Sequence, residues 1–429
     1  MKVHVIPKEE NKNILFFPGK LNYFTADNAT TELVTMIAEG LSFDDINQKY
    51  PSLTMNEYDG IESKINIDKS QTVTSIPESQ LDRLIINISN DCNMRCVYCY
   101  ANQGTYGVET NMISIPTLNS TLDTFFTIFD SIGMLQLFGG EPTLNMDAIE
   151  FACEYLKKNK HKTQVGLVTN ATVVNDRFIA LINKYNIYVT VSVDTEREHD
   201  KLRPFPKGKE SWELINKNIH KMMAETKQPT QIEFTYTKVH DDEDISILDI
   251  LLELDKEYGN IPVHVAPVCS DDKQYHLINR ERFINSVQEI YSNKVPGKDI
   301  SFSSLKSCEL SLKHRKSFDY FCGAGISTLA VSTLGYIYPC FYFIDNEDFK
   351  IANVKEEKNH IKDKVMAVRN AYYEKTKSNN EKCKECFAKD LCNGCLGANY
   401  TENGDPYIAS DNHCNMTKGL VEEILKANI

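Results

Sequence analysis

The stretch Cys92-Asn93-Met94-Arg95-Cys96-Val97-Tyr98-Cys99 decides how this chain is read. Its three cysteines, spaced C-x3-C-x2-C, follow the apolar run Leu84-Ile85-Ile86-Asn87-Ile88, so they sit where a strand hands over to a loop. Thiolates are soft ligands suited to iron–sulfur clusters, and a cubane cluster asks for four ligands on four irons. Three cysteines leave one iron open to an outside chelator, which points to reactivity rather than a purely structural site. The competing reading of C-x2-C is zinc. Structural zinc closes with four ligands, however, and no neighbouring His or Cys completes this set.

Outward from the cysteines, residues 83–300 alternate strand-like and helix-like stretches. The candidate strands are Leu84–Ile88, Met134–Phe138, Val165–Thr169, Tyr188–Val193, Ile232–Thr237 and Val263–Val268. Helical stretches such as Thr117–Phe129, Met146–Lys158, Asp176–Tyr185, Glu213–Met223, Ile245–Tyr258 and Arg282–Tyr291 lie between and after them. Parallel strands need crossover connections, so the alternation predicts a parallel sheet with function gathered at its carboxyl ends.

Upstream, residues 1–67 read as a separate module. A strand pair around Val3–Ile6 and Ile14–Phe17 precedes a helix at Asn28–Glu39, and Ser42/Asp45 and Thr54/Glu57 form capping-box patterns before Ile46 and Ile61. Strands followed by three short capped helices suggest a winged-helix shape. Residues 68–82, polar from 68 to 79 and containing Pro77, read as a linker.

The 429 residues suffice for two or three domains. A net charge of −13 argues against nucleic acid as partner, since phosphate binding asks for a basic footprint. The N-terminus lacks the apolar region of a secretory signal and no stretch spans a bilayer, so a cytoplasmic location with no membrane partner is expected. Thirteen cysteines in a reducing compartment are better explained by metal or cluster ligation than by disulfides. Three fall at 92–99 and eight between 308 and 414, whereas Cys153 and Cys269 fall outside every motif.

Four further segments accompany the cysteines. Gly139-Gly140-Glu141-Pro142 follows the second strand, Thr169-Asn170-Ala171 the third and Ser192-Val193-Asp194 the fourth, with His199-Asp200-Lys201-Leu202-Arg203 just beyond. In order and spacing, these segments and the C-x3-C-x2-C resemble the radical S-adenosylmethionine (SAM) enzymes. Ala171 departs from that family's usual glycine. The resemblance implies an α/β fold with a partial (β/α)6 barrel at 83–300. It further implies that Cys92, Cys96 and Cys99 hold a [4Fe-4S] cluster whose open iron is chelated by SAM, which is cleaved to a 5′-deoxyadenosyl radical. It assigns Tyr98 to the adenine, Gly139, Gly140 and Glu141 to the SAM ammonium and Asn170 to the same pocket. Ser192 and Arg203 are assigned to the carboxylate, and Asp194 to the ribose or a nearby backbone.

Downstream, Cys322 is followed by Gly335 and Cys340 as C-x12-G-x4-C, an alternating stretch that reads as a β-hairpin. Cys383-x2-Cys386-x5-Cys392-x2-Cys395 then precedes Cys414. This pattern resembles the SPASM domain, placed here at 301–429, although that family has three residues between the last two cysteines of the run rather than two. The resemblance implies two auxiliary [4Fe-4S] clusters, an outer one on Cys383, Cys386, Cys392 and Cys414, and an inner one on Cys322, Cys340 and Cys395. Cys308 is the spare cysteine nearest in sequence that could close the inner set. A zinc ribbon is the structural alternative for these cysteines.

The N-terminal module resembles the RiPP recognition element of peptide-modifying radical SAM enzymes, which implies a precursor peptide bound there. Together the resemblances imply a maturase that installs an intramolecular thioether in a ribosomally made peptide, drawing electrons from a flavodoxin or ferredoxin. Carbon–carbon cross-linking and anaerobic sulfatase-type maturation are the alternatives among enzymes. A non-catalytic iron–sulfur electron carrier or zinc scaffold is the alternative outside them.

Overall fold

A computed structural model describes residues 3–66, 68–73, 75–269, 272, 274–277, 280–293 and 298–428. The chain begins with an antiparallel meander of β1 (His4–Glu9), β2 (Lys12–Phe17) and β3 (Asn22–Ala26). Helices α1 (Asn28–Ala38), α2 (Phe43–Asn47) and α3 (Met55–Ile65) follow. Both expected capping boxes form, Ser42 with Asp45 and Thr54 with Glu57, and they set where α2 and α3 begin. β3 has no counterpart in the sequence reading, because only one of its five residues is buried and it lacks a clear alternation.

β2 has two apolar faces. Leu15 and Phe17 pack with Val34, Ile37 and Ile46 in the module's own core, whereas Ile14 and Phe16 join the main core of the molecule. The period-2 geometry of a strand thus ties the module to the rest of the chain.

The stretch expected to be a linker contributes to two strands. β4 (Gln71–Val73) pairs in parallel with Lys316–Phe318. The next strand starts within the same stretch, at Gln80. Arg369, 1% exposed, donates to the carbonyls of Glu78 and Gln80 at 2.8 and 2.9 Å and so fixes the entry to that strand. None of this was legible from 68–82 alone, since the pairing partners lie more than 200 positions away.

The central unit runs β5 (Gln80–Ser89), α4 (Ile115–Ile128), β6 (Ser131–Gly139), α5 (Met146–Lys158), β7 (Gln164–Thr169), α6 (Asp176–Tyr185), β8 (Tyr188–Ser192). It continues α7 (Glu196–Leu202), α8 (Trp212–Glu225), β9 (Gln231–Tyr236), α9 (Lys238–Asp242), α10 (Ile247–Tyr258) and β10 (Val263–Pro267). The six strands β5–β10 lie side by side in chain order, all parallel. Their outward residues, among them Leu84, Leu135, Val189, Phe234 and Val265, are fully buried under the helices. Inward-facing Arg83, Gln136, Thr190, Glu233 and His264 line a single cavity. A sheet whose every strand touches one cavity is curved around it, and the polar inner face leaves that cavity open rather than filled by a core.

Beyond the barrel come α11 (Glu281–Ser292), α12 (Ser303–His314), β11 (Lys316–Phe318), β12 (Thr328–Val331), β13 (Tyr336–Tyr338), β14 (Ala352–Asn353), α13 (Lys358–Glu374), α14 (Leu396–Asn403) and α15 (Asp411–Ala427). The expected hairpin is β12–β13, with Gly335 at φ +84° in its turn. β12 also pairs in parallel with β5, Leu329 opposite Leu84, so the sheet continues through β13 to β14 as nine strands. Among the described residues no helix is long and apolar enough to cross a membrane.

Candidate active site

The cysteine loop leaves β5 after Ser89 and lies over the carboxyl ends of the strands. The N–H groups of Arg95 and Val97 donate to the carbonyls of Pro204 and Leu202 at 2.8 and 2.9 Å, and the Arg95 guanidinium donates to the carbonyls of Cys92 and Met94 at 2.7 Å. Cys92, Cys96 and Cys99 face one cavity of about 640 Å³, and none forms a disulfide. Burial, with the nearby charge of Glu141, pushes the Cys92 thiol up to about 12. Burial also raises Cys96, against the pull of Arg203. Among the described residues no group of three His, Cys, Asp or Glu side chains gathers closely enough to hold a single metal ion. The three thiols around one open cavity fit a larger iron–sulfur body.

The glycine pair serves the loop as much as any ligand. A Cβ on Gly139, at φ +142°, would lie 2.0 Å from the Ser89 carbonyl oxygen, and one on Gly140 would lie 2.3 Å from that of Asp91. Gly104 closes the same contact, its Cβ position falling 2.7 Å from Gly140 Cα and 2.8 Å from Cys92 Cβ. Glu141 lines the cavity but is fully buried, with its carboxylate already occupied. It accepts from Thr143 N–H at 2.9 Å, Thr143 hydroxyl at 2.6 Å, Thr169 hydroxyl at 2.7 Å and Asn170 N–H at 2.8 Å. Burial raises its carboxyl despite these donors. Glu141 therefore ties the loop after β6 to the end of β7.

Asn170 stands between that network and the cysteines, its Nδ2 donating to Asn93 Oδ1 at 3.1 Å and lying 3.8 Å from Cys92 Sγ. Ala171, where the resembled family has glycine, is buried at φ +58°, the left-handed conformation that explains the glycine preference. Ser192 lines the cavity.

Three residues read separately from the sequence form one row. Arg203 donates to the Tyr98 hydroxyl at 2.8 Å, and Tyr98 donates to Asp194 Oδ2 at 2.9 Å. Tyr98 and Arg203 line the cavity, whereas Asp194 is fully buried behind them and does not. Burial pushes Asp194 up to about 6, with Arg203 pulling the other way. His199, also buried, is driven down to about 3 by burial and then by Arg203, and its Nδ1 accepts the Asp194 N–H at 3.2 Å.

The opposite wall was missed by the sequence reading. Tyr100, directly after Cys99, meets Tyr342 with ring centroids 4.8 Å apart, and Phe341 lies 5.8 Å from Tyr100 and 5.1 Å from Phe138. These aromatics join the first cysteine loop to the loop after Cys340; the clue was an aromatic beside a cysteine in both segments. Cys269 lines the same cavity.

The C-terminal cysteines fall into two sets. The charges of Cys322 and Cys395 act on Cys340; those of Cys414 and Cys386 act on Cys383, that of Cys386 acts on Cys414, and all three act on Cys392. Buried Lys377 stands beside the second set, donating to the carbonyls of Lys389 and Cys392 at 2.9 Å. His413 Nε2 is 3.9 Å from Cys392 Sγ. Cys308 is not brought to either set: on α12, 6% exposed, it lies near Tyr23 of β3 and Glu309. A second cavity of about 940 Å³ opens at the other end of β9 and β10, beside α12, and carries no cysteine.

Residues 86–251 match the family described as the radical SAM superfamily. The radical SAM cyclopropyl synthase TigE of Paramaledivibacter caminithermalis is 21% identical over 99% of this chain and 94% of that protein. An uncharacterized protein of Methanocaldococcus jannaschii is 32% identical over 133 residues, and that match spans 45% of its length. Among solved structures, native anSMEcpe with bound AdoMet aligns with a TM-score of 0.68 at 16% identity over 80% of this chain and 96% of that one. Streptococcus suis SuiB bound to precursor peptide SuiA aligns at 0.55 and 18% identity over 96% and 98%. The matched segment begins within β5 and takes in the cysteine loop, the glycine pair and the Tyr98–Asp194–Arg203 row, and over that segment the chain carries a radical SAM domain.

Proposed function

We propose that the protein is a peptide maturase that joins a cysteine sulfur of a ribosomally made precursor to a carbon of another residue in the same peptide. The observation that carries this reading is the cavity, with Cys92, Cys96 and Cys99 on one wall and the aromatic loop after Cys340 on the other. In this reading the first three cysteines hold a SAM-binding [4Fe-4S] cluster. Cys322, Cys340 and Cys395 hold an inner auxiliary cluster, and Cys383, Cys386, Cys392 and Cys414 an outer one, in a SPASM-like domain. When bound, the first cluster and SAM supply the 5′-deoxyadenosyl radical that removes a hydrogen atom from the peptide.

The polypeptide does the rest. Arg203 and Tyr98 present a buried charge and a hydroxyl to the cavity, held by Asp194, so that a cosubstrate carboxylate or ring is oriented without loose water. Gly139 and Gly140 leave backbone carbonyls close to the cluster loop for an ammonium group. Forming the carbon–sulfur bond after hydrogen removal releases one more electron and a proton, and the cysteine-rich third receives that electron across the Tyr100–Tyr342 contact. A flavodoxin or ferredoxin supplies the electron that starts the reaction. The three strands and three helices at the N-terminus act as a winged-helix recognition element for the precursor, a reading supported by the likeness over most of the chain to SuiB, itself solved with a precursor peptide. The thiol-rich composition suits the reducing cytoplasm.

Carbon–carbon bond formation is the second reading, favoured because the relative that spans 99% of the chain is named a cyclopropyl synthase. One experiment separates the two. Reconstituted enzyme, SAM, reductant and the peptide encoded by a neighbouring gene are incubated, and 5′-deoxyadenosine, product mass and thiol alkylation are measured. A product lighter by two hydrogens with one alkylatable thiol fewer is the thioether outcome. The same mass with all thiols retained is the carbon–carbon outcome, and no 5′-deoxyadenosine above background removes the enzyme reading.

A further inference from the structure

Cys322, Cys340 and Cys395 leave a four-iron cluster one ligand short. Each sulfur is met by backbone N–H groups: those of Leu396 and Ala324 at Cys322, Tyr342 and Phe341 at Cys340, and Ala398 and Gly397 at Cys395. The Ala398 N–H, in the first turn of α14, lies 3.4 Å from Cys395 Sγ. Hydrogen bonds of this kind stabilise thiolates and tune clusters. Tyr342 is wedged beside them, so close to Gly397 that a Cβ there would fall 2.4 Å from the ring. Cys308 has no such surroundings, since it sits within the α12 helix against the N-terminal module.

Cys269 does. Val268 N–H donates to the Tyr236 carbonyl at 2.9 Å, which extends the β9–β10 ladder by one residue and fixes where Cys269 leaves it. Cys269 emerges at the carboxyl end of β10 and lines the cavity with Tyr342. It lies within charge range of Cys395 and of Tyr342. Arg280, 7% exposed and with Nε lacking an acceptor among the described residues, is its neighbouring cation. That guanidinium also pairs with Glu402 at 3.3 Å.

We propose that Cys269, delivered by the last barrel strand, is the fourth thiolate of the set formed by Cys322, Cys340 and Cys395, so that the polypeptide closes the inner cluster. The inference rests on the auxiliary-cluster reading above. Ligation sends the Cys269 proton to solvent and leaves sulfur on iron. No iron of that cluster is then free to take a substrate sulfur, so its part in cross-linking is to accept an electron. The ligation also bolts the barrel to the cysteine-rich third through metal.

The test uses the full chain, anaerobically reconstituted, with iron and sulfide content and low-temperature EPR of the dithionite-reduced protein read with and without added 2-mercaptoethanol. The triple variant Cys322→Ala/Cys340→Ala/Cys395→Ala is expected to lose about four irons per chain. If it loses none, the auxiliary-cluster reading fails and this inference fails with it. Given that loss, Cys269→Ala is expected either to lose iron or to gain an EPR response to the added thiol that the unaltered protein lacks, while Cys308→Ala behaves like the unaltered protein. Cys269→Ser, which preserves size and offers oxygen in place of sulfur, is expected to keep its iron with shifted g-values, and it decides the matter if the alanine variant does not accumulate. Iron content, thiol response and g-values all identical to the unaltered protein in the Cys269 variants overturn the proposal.

Discussion

Gly139 shows how tightly the cluster loop is fitted to the strand below it. Its missing side chain would collide with a backbone carbonyl at 2.0 Å, a group that cannot swing aside as a side chain tip would. Gly139→Ala is therefore expected to cost about 2 kcal/mol or more and to lower iron loading, measured as the thermal midpoint and the iron content after reconstitution. Asp194 carries a pH signature. Its folded value of about 6 lies above the ordinary 3.8, so the fold favours the protonated form. That contribution is fully present below about pH 4 and is lost as pH rises through 6, a difference of roughly 3 kcal/mol for a two-unit shift. Urea unfolding of the apoprotein between pH 4 and 7 is expected to show a flatter profile for Asp194→Asn. The sequence made the cysteines and the Gly-Gly-Glu legible because each is contiguous. It could not reveal the Arg203–Tyr98–Asp194 row, because Tyr98 lies 105 positions from Arg203 and 96 from Asp194 and meets them only through folding.

Elements were most readable where local chemistry alone decides them. Met146–Lys158 and Asp176–Tyr185 appear with the bounds expected from sequence, each begun by an asparagine cap, Asn145 and Asn175. β3 and β4 were not readable: β3 buries only one of its five residues, and β4 is three residues long and pairs with a strand more than 200 positions away. The short helix α9 offers a test of acid sensitivity. His240, fully buried against Tyr236 and Phe234, accepts the Thr237 N–H at 3.0 Å as part of a capping box, and burial drives it down to about 4. The fold holds it neutral, so its stability contribution is present above about pH 6.5 and is lost as pH falls toward 4. His240→Gln retains a side chain able to cap but not to titrate. Its stability is expected to fall less than that of the unaltered apoprotein between pH 6.5 and 4.5, measured by denaturant unfolding at each pH.

At the scale of the whole molecule, the N-terminal module is built in rather than appended. Phe16 belongs to the main core and Leu15 to the module's own, although they are neighbours in sequence. His4 stacks on Phe387 at 3.6 Å and bonds Glu422 at 3.0 Å, which places the module against the cysteine-rich third. Phe16→Ala, expected to cost about 3–5 kcal/mol, should uncouple the two bodies and split unfolding into two transitions. Leu15→Ala should instead raise hydrogen exchange in residues 28–65 and leave the barrel protected. The domain-like look of residues 1–67 comes from a local pattern in the sequence, while the double-sided strand β2 is visible only in three dimensions. The hairpin that flanks Cys340 has a consequence of its own. Because β12 is stitched to β5 by main-chain bonds, the segment bearing Cys322 and Cys340 cannot swing like a jaw when a peptide arrives. Under the proposed function, the gap an electron must tunnel across is then set at folding, and a guest has to thread into a vessel whose far side is already riveted in place.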